Sequence, residues 1–426
     1  MAVDSDVSAK KKISQTQWIV VAMVIGIAAG YFLPAAEHPD FVAFAKSVSS
    51  IFLRMIKSLI VPLLFSTLVV GIAGHGDDMK KVGRLAFRSI VYFEIVTTIA
   101  LFIGLGAVNL VKPGQGVSLT GASTTTATEM AATKITFAGV LEHSIPQSFF
   151  DAAAKNEVLQ VVFFSILFGV GLARVQGRPK QAMLEFCEAL AEVMFKFVGI
   201  VMAFAPFGIG AAIAVTIGTS GLAVLKSLAL LVLTLYGSLA VLVLFVFLPV
   251  ALLARIPIKA FWKYVKEPWL IAFSTASSEA ALPLAMQNLE KFGIPKRIIA
   301  FVLPTGYSFN LDGSTLYLAI ASVFAAQAGG IEMTFGQQLL MMLTLMLTSK
   351  GVAAVPRASL VILSGALAMF NLPLEAVAVI LGVDAIMDMG RTSINLMGNC
   401  LATGVMARWE GEFPKTPGVP AAAQDG

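Results

Sequence analysis

Asp384, Asp388, Arg391, Asn395 and Asn399 stand 4, 3, 4 and 4 positions apart. On a helix that spacing puts all five on one face. The residues before them (372–383) and after them (400–407) are almost wholly apolar, so the stripe lies mid-way along a membrane-type helix. A charge at bilayer depth costs about 2.5–3.5 kcal/mol on insertion scales. Residues that expensive, held in register, point to a polar site for a charged solute. The alternative is a structural Asp–Arg pair that holds helices together.

A second polar group lies upstream. Residues 298–328 are apolar apart from 305–314, where Asn310, Asp312 and Gly313 should break a membrane helix near its middle. An unwound turn exposes backbone carbonyls and Asp312 adds a charge, a reasonable ligand set for a hard cation. A simple kink whose Asp bonds a neighbour is the plainer reading. Two interrupted apolar segments flank this helix. The polar tips at 275–283 and 348–356 are both nine residues, begin with Thr and end Ala-Ala-apolar-Pro. Pro283 precedes Asn310 by 27 positions and Pro356 precedes Asp384 by 28. Interrupted segments in corresponding places, each followed by a helix with a polar centre, are the mark of an internal repeat around a binding site.

The rest of the chain must embed these groups. Of its 426 residues 58% are hydrophobic and 13% charged, with mean hydropathy +0.86. A soluble chain carries roughly twice that charge fraction, so this is an all-α polytopic membrane protein. Spans are expected at 18–33, 47–74, 90–111, within 135–173, at 188–218 and at 222–253. Charged loops at 75–88, 174–180 and 255–266 fall on one side, which places the N-terminus in the cytoplasm by the positive-inside rule. The segment 271–287 is basic on both flanks, so it enters and leaves on the same side as a re-entrant hairpin. The net charge of +5 is this loop bias and no sign of nucleic-acid binding. Residues 112–134 are Gly/Ser/Thr-rich and read as a flexible loop. The apolar run after residues 1–17 lacks a small-residue cleavage site and reads as a first span, not a removed leader. Cys187 and Cys400 suggest no disulfide framework. His38, His75 and His143 are scattered without metal spacing.

Asn310 to Ser314, the Ser277–Ser278 tip, the Gly351 to Pro356 tip and the run from Asp384 to Asn395 together resemble the glutamate transporter family, the dicarboxylate/amino acid:cation symporters. The resemblance runs from the first span to about Trp409. It implies eight transmembrane helices, two re-entrant helical hairpins with inverted repeats, a homotrimer in the bacterial inner membrane and cytoplasmic termini. It implies a tail at 1–17, spans 1–6 at 18–253, a core at 254–410 with hairpin 1, span 7, hairpin 2 and span 8, and a tail at 411–426. Spans 1, 2, 4 and 5 would form a trimerising scaffold. Spans 3 and 6 would join the core in a transport domain that moves as an elevator.

The resemblance also implies roles. Arg391 would bind the side-chain carboxylate of an acidic amino acid, Asp388 its ammonium and Asn395 its α-carboxylate. Ser277, Ser278, Ser314, Val355 and Thr392 would complete the pocket. The chemistry agrees: a guanidinium fork suits a carboxylate, and an Asp three positions away suits an ammonium. Gly306, Asn310, Asp312, Asn395 and Asn399 would form a sodium site if sodium drives transport. Thr97, Ser308, Ser349 and Asp384 join the coupling set. This chain departs from sodium-driven members in ways that matter. Asn399 stands where they carry an Asp, and Phe93 and Val96 align with two of three hydroxyl ligands. Glu94 and Glu279 supply intramembrane carboxylates instead, a mark of proton relays. Glu279 could equally cap a helix and Glu94 pair with a Lys. The expectation is symport of glutamate or aspartate with protons; sodium coupling or C4-dicarboxylate transport is the runner-up. No nucleophile–base pair or metal cluster stands in the apolar segments, so an enzyme is not expected, nor any cofactor beyond the co-transported ion. Broken helices in repeat positions favour a carrier over a channel.

Overall fold

The computed structural model describes residues 15–73, 79–117, 119, 145–155, 157–220, 228–348 and 358–414. The described residues form helices, with no strand among them. The first half runs α1 (Gln15–Phe32), α2 (Pro39–Ala73), α3 (Met79–Val111), α4 (Phe149–Lys155), α5 (Val158–Arg174), α6 (Arg178–Met202) and α7 (Ala205–Ser220). Next come α8 (Ala229–Leu242), a π-helical segment (Val243–Phe247) and α9 (Leu248–Leu253). The second half holds α10 (Ile258–Thr275), α11 (Ser278–Phe292), α12 (Lys296–Phe309) and α13 (Asp312–Ala328). It ends with α14 (Phe335–Thr348), α15 (Ala358–Met369) and α16 (Glu375–Trp409).

By length and composition, three helical stretches among the described residues are fit to cross a membrane alone: 83–111, 229–253 and 296–328. The bent pair α6–α7 makes a fourth. The span 296–328 is α12 and α13 together, broken where the sequence places Asn310.

Several boundaries differ from expectation for one reason. In sequence, charged residues suggest loops, but long basic side chains keep their heads in water while their backbone stays helical. Thus α3 begins at Met79, absorbing Arg84 and Arg88, and α10 begins at Ile258, absorbing Lys259, Lys263 and Lys266. The first hairpin tip is also tighter than nine residues. Ala276 alone turns the chain, in the left-handed region at φ 49°, and Ser277 caps α11 by accepting from the Ala280 amide at 3.2 Å. Pro283 lies inside α11, not at a break. The second tip, with Ser349, Lys350, Gly351, Val355 and Arg357, lies outside the described residues, as does most of the 112–134 loop.

Two sets of neighbours stand out in the packing, and α2 also packs on α11 and α12 between them. α1 packs on α7, and α2 packs on α5, α6 and α7. α16 packs on α10, α12 and α13, and α3 packs on α13 and α8. Small residues permit the closest approaches. A methyl group on Gly26 would meet the Gly210 carbonyl oxygen of α7 within contact range, and one on Gly104 would sit 2.5 Å from the Leu316 carbonyl oxygen of α13. Without a hydrophobic drive between helices in lipid, such backbone proximity is what binds them.

Candidate functional site

The polar stripe of α16 is buried where that helix crosses the break between α12 and α13. Only 1% of Arg391 is exposed, yet it is charged, so partners must offset the burial. Its Nε donates to Asp388 Oδ1 at 2.8 Å and an Nη donates to Asp384 Oδ1 at 3.1 Å. Its guanidinium also stacks over the Tyr317 ring of α13, 4.2 Å from the centroid. Asp388 Oδ1 takes a further bond from Thr392 Oγ1 at 2.9 Å. The two carboxylates differ in access: the Asp384 side chain is 6% exposed, that of Asp388 26%. Asp384 is the enclosed carboxylate of the pair and Asp388 the more accessible one.

Asn395 and Asn399 lie on the same stripe but face the helix break. Asn395 Oδ1 accepts the Gly313 and Ser314 amides at 2.7 and 3.2 Å, two of the donors exposed at the start of α13. Its Nδ2 donates to Ser314 Oγ at 2.9 Å. Asn399 Oδ1 accepts from Asn310 Nδ2 at 3.0 Å. A Cβ on Gly306 would collide with that Asn399 oxygen. The unwound turn is therefore clamped by amides, and the Gly306 carbonyl already accepts the Asn310 amide at 2.7 Å.

Next to the clamp, Asp312 is fully buried and its Oδ1 accepts from Thr97 Oγ1 of α3 at 3.2 Å. Phe93 and Val96 are buried on the same face of α3. The structure thus brings Thr97, Asn310, Asp312, Gly306 and Asn399 together, with hydrocarbon where Phe93 and Val96 stand. Buried polar atoms without partners among the described residues include Tyr92 Oη, Ser308 Oγ, Asn310 Oδ1, Thr315 Oγ1 and Asn399 Nδ2. Buried polar atoms are ordinarily paired, so this cluster sets the region apart from the apolar packing around it.

The first hairpin reaches the site through Ser278, whose Oγ donates to the Thr392 carbonyl at 3.4 Å. Ser277 sits beside it, spent on its cap. Glu279 is half-buried in the first turn of α11, where a helix N-terminus favours a carboxylate. Glu94 is half-buried on α3. No group of three His, Cys, Asp or Glu side chains fit to hold a metal ion occurs among the described residues.

Sequence reasoning missed the tie at the far end of α16. Arg84 donates to Glu410 Oε2 at 2.6 Å and Arg88 to Glu410 Oε1 at 2.8 Å. Arg88 also reaches the Trp409 carbonyl at 2.9 Å, and Arg408 reaches the Ala254 and Arg255 carbonyls. Glu410 is buried to 1% of its side chain. Burial works against its charged form, but the two guanidinium groups outweigh this and hold the carboxyl below the usual carboxylate range. Only the i, i+4 spacing of Arg84 and Arg88 hinted at a shared partner.

Comparison with known proteins shows what the chain is similar to. Residues 16–409 match the sodium:dicarboxylate symporter family. The chain is 40% identical over 416 residues to a proton/sodium-glutamate symport protein of Bacillus caldotenax, covering 96% of this chain and 97% of that one. It is 39% identical over 416 residues to the proton/glutamate-aspartate symporter of Escherichia coli (strain K12), covering 95% and 94%. It is equally similar, 39% over 413 residues, to a C4-dicarboxylate transport protein of Bacillus subtilis (strain 168), covering 95% and 96%. A site buried among broken helices and a match along nearly the whole chain lead to one conclusion: this protein belongs to the sodium:dicarboxylate symporter family, whose members are transporters and not enzymes.

Proposed function

We propose that the protein imports glutamate or aspartate with protons across the inner membrane. Overall identity does not separate amino-acid from dicarboxylate relatives, so the substrate class rests on the site. The observation that carries the reading is the Asp384–Arg391–Asp388 triad, in which one guanidinium faces two carboxylates and only Asp388 is accessible. A substrate carboxylate that takes the Asp388 place on Arg391 releases Asp388 to meet the substrate ammonium. One ion pair is exchanged for two, and no charge is left bare in the buried site. A plain dicarboxylate lacks the ammonium and would leave Asp388 unpaired. Asn395 keeps a second Nδ2 hydrogen for the α-carboxylate, and Ser278, Ser314 and Thr392 line the pocket, with Val355 and Ser277 contributing from the tips.

The coupling ion follows from the second cluster. An Asn side chain at 399 brings no charge, and Phe93 and Val96 bring no oxygen, which depletes a sodium cage. Glu94 and Glu279 are the protonatable groups. Sodium coupling through Asn310, Asp312, Asn395 and Gly306 is the second reading, supported by the partnerless oxygens of Asn310 and Ser308.

The movement proposed is the one the family resemblance implies. α1, α2 and α4–α7 act as a scaffold, trimeric as in the resemblance. α3, α8, α9 and α10–α16 move as an elevator of four spans and two hairpins, in a chain of eight spans with both termini cytoplasmic. The Arg84/Arg88–Glu410 tie and the Asn109–Gln338 bond at 2.8 Å support grouping α3 with the moving body. Aspartate uptake into proteoliposomes tests the proposal. An inward proton gradient in sodium-free buffer should drive it, and Glu94→Gln or Glu279→Gln should remove the pH dependence while leaving exchange. Uptake with sodium alone and none with protons alone would leave the second reading standing.

A further inference from the structure

A groove of about 610 Å³ runs beside α16; its lining takes in Gly390, between Asp388 and Arg391, but none of the three triad side chains. Its walls are α8, the π segment, α9, α10 and α16, and they are almost entirely hydrocarbon. On α10, Ile258, Trp262, Trp269 and Phe273 recur on one stripe; Trp262 and Trp269 lie 5.8 Å apart and Trp269 stacks on Phe273 at 5.5 Å. The groove reaches from Ile258 and Ala251 at one end to Tyr236 and Gly390 at the other. Fifteen residues separate Ala251 from Tyr236, about 22 Å at the helical rise. That is the scale of one leaflet with its headgroups, half of a bilayer about 40–45 Å thick.

Two further features say what fills it. The Ile258 end carries Arg255, Lys259, Lys263 and Lys266; Lys259 and Lys263 adjoin the lining residues Ile258 and Trp262, and Lys266 is one turn from both Trp262 and Trp269. The indole Nε1 of Trp269 is buried with no acceptor among the described residues, although buried indoles usually find one. An apolar channel one leaflet deep, with a cationic mouth and a donor that needs an acceptor, is complementary to an anionic phospholipid. We propose that this groove binds one such lipid of the inner leaflet. The acyl chain lies along Phe247, Phe273 and Leu239, the phosphate meets the lysines, and the ester carbonyl supplies the acceptor for Trp269. The choice of leaflet rests on the cytoplasmic placement of residues 255–266 proposed above; the binding itself does not depend on transport.

Tryptophan quenching by brominated acyl chains tests this on the full-length protein in vesicles. Trp18→Phe and Trp409→Phe leave Trp262 and Trp269 as the reporters. Brominated phosphatidylglycerol, as a minor fraction in plain phosphatidylcholine, should quench at about one-fifth or less of the fraction needed for brominated phosphatidylcholine, since each lysine near an anionic headgroup contributes roughly that factor. Lys259→Gln with Lys263→Gln and Lys266→Gln should erase the preference. Val243→Phe, which fills the groove but leaves the rim intact, should erase it too. Equal quenching by both lipids would reduce the groove to ordinary bilayer contact, and no quenching by either would mean that protein covers it. A preference that survives Val243→Phe would put the lipid elsewhere. Each of these three results overturns the proposal, and none of them bears on which solute or ion is carried.

Discussion

Arg391 satisfies two carboxylates at once, and this decides what its loss would do. Arg391→Cys leaves Asp384 and Asp388 facing each other in a buried site, so the substrate carboxylate has no partner and meets like charge. Losing a desolvated charge pair costs roughly 2–5 kcal/mol in binding. Aspartate affinity, measured by calorimetry on monodisperse protein, should fall accordingly; unchanged affinity would contradict the carboxylate role. Asp388→Asn is the complementary test. It keeps an acceptor for Thr392 and Arg391 but removes the charge that meets the ammonium. Aspartate uptake should be lost while succinate, rejected by the wild type, becomes the better competitor. Wild-type protein that takes succinate and aspartate equally would sink the assignment.

At the level of elements, the site depends on how closely α13 approaches α16. A Cβ on Gly313 would lie 2.4 Å from the Arg391 carbonyl oxygen, which is backbone and cannot swing aside. Gly313→Ala must therefore push the two helices apart and break the Asn395 bonds to the Gly313 and Ser314 amides. Overpacking of this kind costs about 1–3 kcal/mol. Thermal unfolding in detergent should shift downward, and added aspartate should rescue it less than in wild type. The first hairpin carries a prediction of topology. A cysteine at Ser277, with Cys187 and Cys400 replaced, should react with an impermeant thiol reagent from the cytoplasmic side only. Both native thiols are buried, so replacing them removes no exposed reporter. Labelling confined to the outer face would refute the orientation.

At the level of the whole molecule, Glu410 ties the end of α16 to the start of α3. Its carboxyl titrates below its ordinary value because Arg84 and Arg88 outweigh the effect of burial. A depressed carboxyl pKa contributes stability that is present above the unfolded-state value and is lost as pH falls through the folded-state value. Wild-type protein should therefore lose thermal stability as pH falls below the ordinary carboxylate range. Glu410→Gln should be less stable at neutral pH and should lose less on acidification. Identical pH profiles for the two proteins would show that the tie adds nothing. Phe413 and Glu412 extend the same junction, against Phe292 and Arg297 respectively, so residues just past α16 belong to the packed body.

What the sequence determined by itself is local or periodic. The 4, 3, 4, 4 spacing placed five polar residues on one face because the helical repeat needs no tertiary partner. The same holds for the break at Asn310 and the turn before Ser278, where polar and conformationally free residues interrupt apolar runs. Resemblance in those motifs also announced the family. What only the tertiary structure decided is which face meets what. Asp384 and Asp388 look alike in sequence, yet neighbouring helices bury one and leave the other open. Asn395 reads as a substrate ligand, but it also closes the start of α13, because four amides there have no partner in their own helix. Glu410 finds Arg84 across 326 positions of chain. Periodicity carries information over a few turns; long-range pairing depends on how the helices pack against one another, and that is settled only when the chain has folded.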